Sequence, residues 1–375
     1  MSVKMLYILN VAEKVNNFSY SAMIAAQNLG IEFSIAGNWS YPDAAAREAD
    51  EKKYGIKIYQ VDFIRAPYDP RNKKAYRQIR AIIERENFDL IHCNTPIGGI
   101  IGRAAAEKCG VDKVIYQAHG FHFYKGAPFI NRTLFYNIEK YFARYTDVLV
   151  TINREDLSSA KAFRLRNGGK LRYVHGVGID LSEYCGVSEF RDDKRRELGL
   201  KNDDIALISV GELNKNKNNI AIVKAMAMLK NKRLHYYLCG VGQELETISR
   251  FAYEHGIGDN IHFLGYRNDV KELMAACDIF VMPSFREGLS RSLMEAMACG
   301  LPCVASAIRG NTDLVRKGGG FLCPPNSPKR FAGAINKCLR SDRKAMGEAN
   351  MQSVKSFDLG IVIAEWEQIY KDILS

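Results

Sequence analysis

The stretch 279–306 reads IFVMPSFREGLSRSLMEAMACGLPCVAS. Its first four residues are apolar, the first three β-branched or aromatic, the signature of a buried strand over Ile279–Met282. A Pro-Ser turn and a charged loop follow, and the apolar spacing then changes to that of a helix over Ser292–Cys299, which Gly300 stops. Cys303–Ser306 is apolar and short again. Strand, helix and strand within 28 residues make a βαβ unit, and such units build parallel sheets.

The same alternation extends outward. Upstream lie strands Ile205–Val210, His235–Leu238 and Ile261–Leu264, with helices Ile220–Leu229, Glu244–His255 and Val270–Ala276 between them. An earlier series has strands Met5–Leu9, Glu32–Ala36, Lys57–Val61, Leu90–Cys93, Val114–Ala118, Val148–Thr151 and Leu171–Val174. Its helices are Asn17–Leu29, Asn72–Glu86, Gly98–Lys108, Asn131–Tyr145 and Arg154–Phe163. The alternation lapses over the charge-rich SEFRDDKRRELGLKNDD, residues 188–204. Helices over 329–339, 345–356 and 359–374 close the chain. The expected architecture is α/β: two doubly wound, Rossmann-like domains facing across a cleft. Residues 1–178 form the first, 179–204 a linker, and 205–356 the second, with 357–375 a helix returning toward the first domain. In such sheets ligands bind beyond the carboxyl ends of the strands, and a pair of them suits transfer of a group from a donor to an acceptor.

The chain has 375 residues, 47% hydrophobic, 25% charged and 10% aromatic, which excludes disordered, collagenous and disulfide-scaffold classes. Nine cysteines, an odd number scattered through a long chain, read as reduced thiols of a cytoplasmic protein. No signal-peptide core and no apolar run of about 18 residues is present, so the protein is expected to be soluble or peripheral. The net charge of +11 predicts attraction to an anion, and it is unevenly spread. Residues 1–178 hold 26 Lys/Arg against 17 Asp/Glu, a net of +9. Lys125–Arg172 alone holds ten basic and four acidic residues. There Arg132, Lys140 and Arg144 interleave with aromatic residues, a pattern suited to an anionic membrane surface.

Three groups of residues carry candidate chemistry. Glu287 in the loop and Glu295 on the helix are acceptor-only groups able to reach different hydroxyls of one extended ligand. The backbone amides of Gly288, Leu289 and Ser290, at the helix start, favour a phosphate or sugar oxygen. His119 and His122, in QAHGFHFYKG, follow the strand Val114–Ala118 and so stand at its carboxyl end. No Asp-x-Asp occurs, which leaves a metal clamp without sequence support. The first strand is followed by NVAEKVNNFS, residues 10–19, without the glycines of a phosphate cradle. Gly240-Val241-Gly242 after a strand lacks the third glycine of a dinucleotide fingerprint, Leu245 standing there.

The Glu287-to-Glu295 spacing and its surroundings resemble the Glu-x7-Glu motif of retaining, GT-B-fold glycosyltransferases of family 4. GELNKNKN at 211–218 is similar to that family's Gly-Arg-Leu…Lys-Gly loop, HFLGY at 262–266 to its nucleotide-side loop, and GVGID at 176–180 to the segment entering its interdomain linker. YQAHGFHFYKGAP at 116–128 and SFREGLSRSLMEAMA at 284–298 resemble EpsD-type exopolysaccharide and capsule glycosyltransferases of bacteria. The resemblance implies that Glu295 accepts hydrogen bonds from the donor ribose, while Glu287 and the 288–290 amides hold the donor sugar. It also places Gly211 and Lys217 at the donor, Lys217 neutralising the departing diphosphate, and His119 against the donor sugar. Glu212 stands where the family usually has an arginine, so either another cation, with Arg286 or Lys215 the nearest candidates, takes over, or the diphosphate is held differently. The implied partners are a nucleotide sugar, expected to be a UDP-sugar, and a polyprenyl-diphosphate-linked saccharide. An anionic membrane surface is expected to meet the face carrying His122, Lys125, Arg132, Lys140 and Arg144. No cofactor, metal or nucleic acid is implied, and the location is the inner face of the cell membrane. Two alternatives stay open: a GT-B nucleotide-sugar epimerase or hydrolase working without acceptor, and a basic nucleic-acid-binding protein.

Overall fold

A computed structural model describes residues 2–375 except Glu13, Asn16, residues 40–43, Pro67, Tyr68 and Asn167. Two residues of the 10–19 stretch therefore lie outside the described residues. The chain divides into two compact units, Met1–Gly178 with Leu359–Ser375, and Ile179–Asp358.

Among the described residues the first unit has a seven-stranded parallel sheet: β1 (Lys4–Val11), β2 (Glu32–Asn38), β3 (Lys57–Gln60), β4 (Leu90–Asn94), β5 (Lys113–Ala118), β6 (Val148–Thr151) and β7 (Lys170–Tyr173). Their order is β3-β2-β1-β4-β5-β6-β7, so the winding reverses between β1 and β4. The strands read as continuous apolar runs because helices cover both faces. Met5, Tyr7 and Leu9 enter one core and Leu6 and Ile8 the other. The helix Leu359–Leu374 joins this unit, burying Val362, Trp366, Ile369 and Tyr370 on the Tyr7 face. There the Tyr370 hydroxyl lies 3.0 Å from Nδ1 of the buried His92.

The second unit has six parallel strands: β8 (Ile205–Val210), β9 (Leu234–Cys239), β10 (Ile261–Gly265), β11 (Ile279–Met282), β12 (Cys303–Ser306) and β13 (Gly320–Cys323). The order β10-β9-β8-β11-β12-β13 puts the reversal between β8 and β11. In both sheets the reversal opens a crevice at the strand ends, where ligands of doubly wound folds bind.

Several elements differ from the sequence expectation. Residues 179–204 are not a free linker but part of the second unit. Their charged run folds as the helix Arg191–Glu197, whose Arg191 guanidinium bonds the Ala275 and Cys277 carbonyls at 2.8 Å and Asp278 at 2.7 Å. The segment 131–145 is not one uniform helix; a π turn over Asn131–Phe135 leads into an α-helix over Tyr136–Phe142 and a 3-10 turn over Ala143–Tyr145. The helix from Arg154 ends at Ala160. The helix Ala44–Tyr54 and strand β13 were not anticipated.

Candidate functional site

In the second unit, the loops leaving β8 and β11 are joined to each other. The Phe285 amide donates to the Asn216 carbonyl at 2.8 Å, and the Asn216 side-chain amide donates to the Arg286 carbonyl at 3.0 Å. Asn218, buried and at φ 53°, donates to the carbonyls of Pro283 (3.0 Å) and Pro325 (2.8 Å). Across this seam Lys217 Nζ lies 2.8 Å from Glu287 Oε1, with side chains 24% and 13% exposed. Two residues 70 apart in sequence thus form one charge-compensated pair at the switch point. Lys217 also lines a small recess of about 10 Å³, with Ser209, Gly211, Asn219, Met282 and Ser284. The buried Ser284 hydroxyl has no hydrogen-bond partner among the described residues.

Glycine is required where these backbones converge. Gly211 has φ +137°, and a Cβ on it would fall 3.3 Å from Lys217 Cε. A Cβ on Gly240 would fall 2.0 Å from the Gly211 carbonyl oxygen, and one on Gly242 2.2 Å from that of Leu213. The Gly-Val-Gly after β9 therefore closes against the loop after β8.

Ser290 caps the helix Arg291–Ala298, its hydroxyl accepting from the Leu293 amide at 3.4 Å. Glu295 projects from that helix and pairs with Arg291 at 2.7 Å, one turn away. Tyr184 lies beside this pair; burial, and after it the Glu295 charge, push its phenol pKa up. The structure thus gathers Gly211, Lys217, Glu287, Gly288, Leu289, Ser290 and Glu295 at the ends of β8 and β11 and along the helix that follows. Arg286 and Lys215 are exposed, as is Glu212. A residue not singled out from sequence is Arg309, 5% exposed, whose Nε–H donates to the Glu287 carbonyl at 3.0 Å. The spacing of Arg309 from β12 carries no signal that could have found it.

In the first unit His119 stands at the end of β5. Its Nε2 is 3.1 Å from Oδ1 of the buried Asn94, at the end of β4, and the Tyr7 hydroxyl is 3.1 Å from the same oxygen. The Phe18 ring packs edge-on at 5.1 Å. His119 Nδ1 is buried without a partner among the described residues, and burial pushes the ring's pKa down to about 4. His119 is therefore a neutral imidazole at physiological pH, suited to hydrogen bonding rather than to carrying charge. His122 packs instead on Phe135, with ring centroids 4.9 Å apart.

Lys125, Arg132, Lys140 and Arg144 are all exposed. Phe135 and Tyr136 pack on the core, whereas Phe129 and Ile130 stand 79% and 63% exposed beside Arg132. The helix behind them is anchored by a buried triad. Arg103 donates to Glu139 at 2.8 Å, Tyr116 donates to the other Glu139 oxygen at 2.7 Å, and the guanidinium stacks 3.8 Å from the Tyr116 ring centroid. Among the described residues no cluster of three or more His, Cys, Asp or Glu side chains could hold a metal ion, and no helix is long and apolar enough to cross a membrane.

Comparison with known proteins gives concordant matches. Residues 190–353 match the family profile of Glycosyl transferases group 1, and residues 41–153 that of Glycosyl transferase 4-like proteins. The chain is 34% identical over 334 residues to the putative glycosyltransferase EpsD of Bacillus subtilis (strain 168), covering 87% of each chain. It is 27% identical over 292 residues to the UDP-Gal:alpha-D-GlcNAc-diphosphoundecaprenol alpha-1,3-galactosyltransferase of Escherichia coli, covering 74% of this chain and 75% of that one. The crystal structure of Anabaena Alr3699/HepE in complex with UDP superposes with a TM-score of 0.78 at 20% identity, covering 99% of this chain and 100% of that one. By these matches and by its two doubly wound sheets, the chain belongs to the group 1, family 4-like glycosyltransferases of GT-B fold.

Proposed function

We propose that the protein moves a hexose from a UDP-sugar, with retention of anomeric configuration, to a polyprenyl-diphosphate-linked saccharide in exopolysaccharide or capsule synthesis. The observation that carries this reading is the Lys217–Glu287 pair, formed where the loops leaving β8 and β11 meet at the switch point. A lysine there meets the diphosphate of a nucleotide sugar, the adjoining carboxylate meets sugar hydroxyls, and Glu295 meets the ribose. The activity for which the Escherichia coli relative is named, with a UDP-Gal donor and a diphosphoundecaprenol-linked acceptor, supports both substrate classes.

In the reaction, the bond from the sugar C1 to the diphosphate breaks and the acceptor hydroxyl forms a bond to C1 from the same face. The hydroxyl proton passes to the departing diphosphate oxygen, so no protein nucleophile is needed. Lys217 stabilises the charge developing on that oxygen, an effect of the order of ~3 kcal/mol for a preorganised group. Neutral His119 offers a hydrogen bond to the sugar. With no Asp-x-Asp in the chain, transfer is proposed to be metal-independent.

The unequal charge supports a place of work at a membrane. Arg132, Lys140 and Arg144 lie on the first unit's exposed surface, and each cation near an anionic bilayer contributes about 1 kcal/mol. The proposal therefore includes peripheral binding to the inner membrane face, with the exposed Phe129 and Ile130 meeting the lipid.

The test is a transfer assay with UDP- and GDP-sugars and a polyprenyl-diphosphate acceptor on anionic vesicles, run with EDTA. Retained product from a UDP-sugar, and release of the Arg132/Lys140/Arg144→Glu variant from vesicles with donor binding intact, are the expected results. An inverted anomer, or donor hydrolysis without any acceptor product, would overturn the assignment.

A further inference from the structure

The loop Arg286–Leu289 is the part of the donor site with the least structure of its own, and it is held from two sides. From the β8 side, Asn216 holds the Arg286 carbonyl and Lys217 the Glu287 carboxylate. From the β12 side it meets the turn Arg309-Gly310. Arg309 is buried, and its Nε–H donates to the Glu287 carbonyl at 3.0 Å. Gly310 has φ +76°, and a Cβ placed on it would fall 2.3 Å from the Gly288 carbonyl oxygen and 3.2 Å from Leu289 Cα. The turn and the loop are therefore in backbone contact, a fit that any side chain at position 310 would disrupt.

We infer that Arg309, with Gly310 beneath it, is a positioning residue for sugar recognition: it fixes the backbone at Glu287 and Gly288, so that the Glu287 carboxylate and the 288–290 amides are aimed at the donor sugar. The inference rests on the role of Glu287 proposed above. An arginine suits this task because its planar fork can bond a carbonyl in a fixed direction while staying charged when buried. The recognising groups sit on a loop, and loops aim side chains only as well as their supports allow. Arg309 lends rigidity at the residue that needs it, from the turn that follows β12. The diphosphate contact belongs to Lys217 on the opposite side of the loop, so the two halves of a nucleotide sugar depend on different supports.

That division supplies the test. Titration calorimetry measures the affinity of wild type, Arg309→Gln, Arg309→Lys and Gly310→Ala for UDP and for the UDP-sugar used in transfer, alongside donor KM, kcat and thermal midpoint. Arg309→Gln is expected to lose about tenfold in UDP-sugar affinity, to raise donor KM and lower kcat, and to keep UDP affinity within about threefold. Arg309→Lys restores part of the loss. Gly310→Ala, which retains Arg309 but displaces Gly288, shows the same selective defect. Parallel loss of UDP and UDP-sugar, unchanged binding of both, or failure of both the Gln and Ala variants to fold would each overturn the inference. If wild type binds the UDP-sugar no better than UDP, the proposed role of Glu287 is what fails; if wild type shows the preference and Arg309→Gln retains it, only the positioning role fails.

Discussion

Glu287→Gln should bind UDP more tightly than the wild-type protein does. Lys217 is engaged by the Glu287 carboxylate at 2.8 Å, so a diphosphate bound as proposed above must take the lysine from it. At that separation the Coulomb attraction runs from about 1.5 kcal/mol in water to about 6 kcal/mol at an effective dielectric of 20. Desolvation offsets much of this, and double-mutant values for partly buried pairs centre on about 1–2 kcal/mol. Glutamine keeps the shape and removes the competing charge, so the gain in UDP affinity should be of that size, roughly 5- to 30-fold. The sugar loses a contact at the same time, and transfer should slow by about a hundredfold or more. Calorimetry with UDP at two salt concentrations reads the effect, which should shrink at high salt. A cycle with Lys217→Met isolates the pair, because without the lysine the Gln substitution should gain little. Equal or weaker UDP binding by Glu287→Gln, or a gain that persists without Lys217, would refute the competition argument.

Two further outcomes follow from the first unit. Burial holds His119 near a pKa of about 4 and His92 well below its ordinary value. Because the folded pKa lies below the unfolded one, near 6.5, the unfolded chain takes up protons first as pH falls; stability is full above pH 6.5 and declines toward pH 4. His119 alone accounts for at most about 3 kcal/mol of this loss, so thermal unfolding between pH 7 and 4.5 should show a steep fall that His119→Asn flattens. Arg103→Leu should cost about 3–5 kcal/mol in urea unfolding by leaving the Glu139 carboxylate buried without its cation, whereas Arg103→Leu with Glu139→Leu should cost less.

The parts of this molecule that were legible in sequence are those with local causes. The strand and helix that flank Glu287, and the run Ile205–Val210, declare themselves by spacing alone. Strand β13 did not, since it is four residues long and begins inside the glycine run 318–320, where propensity opposes a strand. The helix Ala44–Tyr54 has no apolar stripe to detect; AAAREADEKKY forms it on intrinsic propensity. Residues 188–204 read as solvated because their charges are dense, yet Arg191 and Arg195 both turn onto Asp278. At the site, the types of residue were legible and their partners were not. Lys217 and Glu287 are joined only by the path of β8 and β11, and Arg309 meets Glu287 through a backbone carbonyl, a contact that no side-chain pattern encodes. Among the aromatic residues of 129–145, Phe135 and Tyr136 pack on the core, as a helix laying its aromatic side on the sheet requires, while Phe129 remains outside.

The helix Leu359–Leu374 gives synthesis of the chain an unusual order of events. The first unit is begun by residues made before the second unit, but Trp366 and Tyr370, which fill its core against Tyr7 and His92, are made after it. Between them lies the whole of the second unit, Ile179–Asp358. At ~5–20 residues per second, about 10 to 40 s pass in which residues 1–178 exist with that apolar face uncovered. The second unit, contiguous in sequence, has no such wait. The domain numbered first is thus the one completed last, and during that interval its open face is the part of the nascent protein most in need of a chaperone.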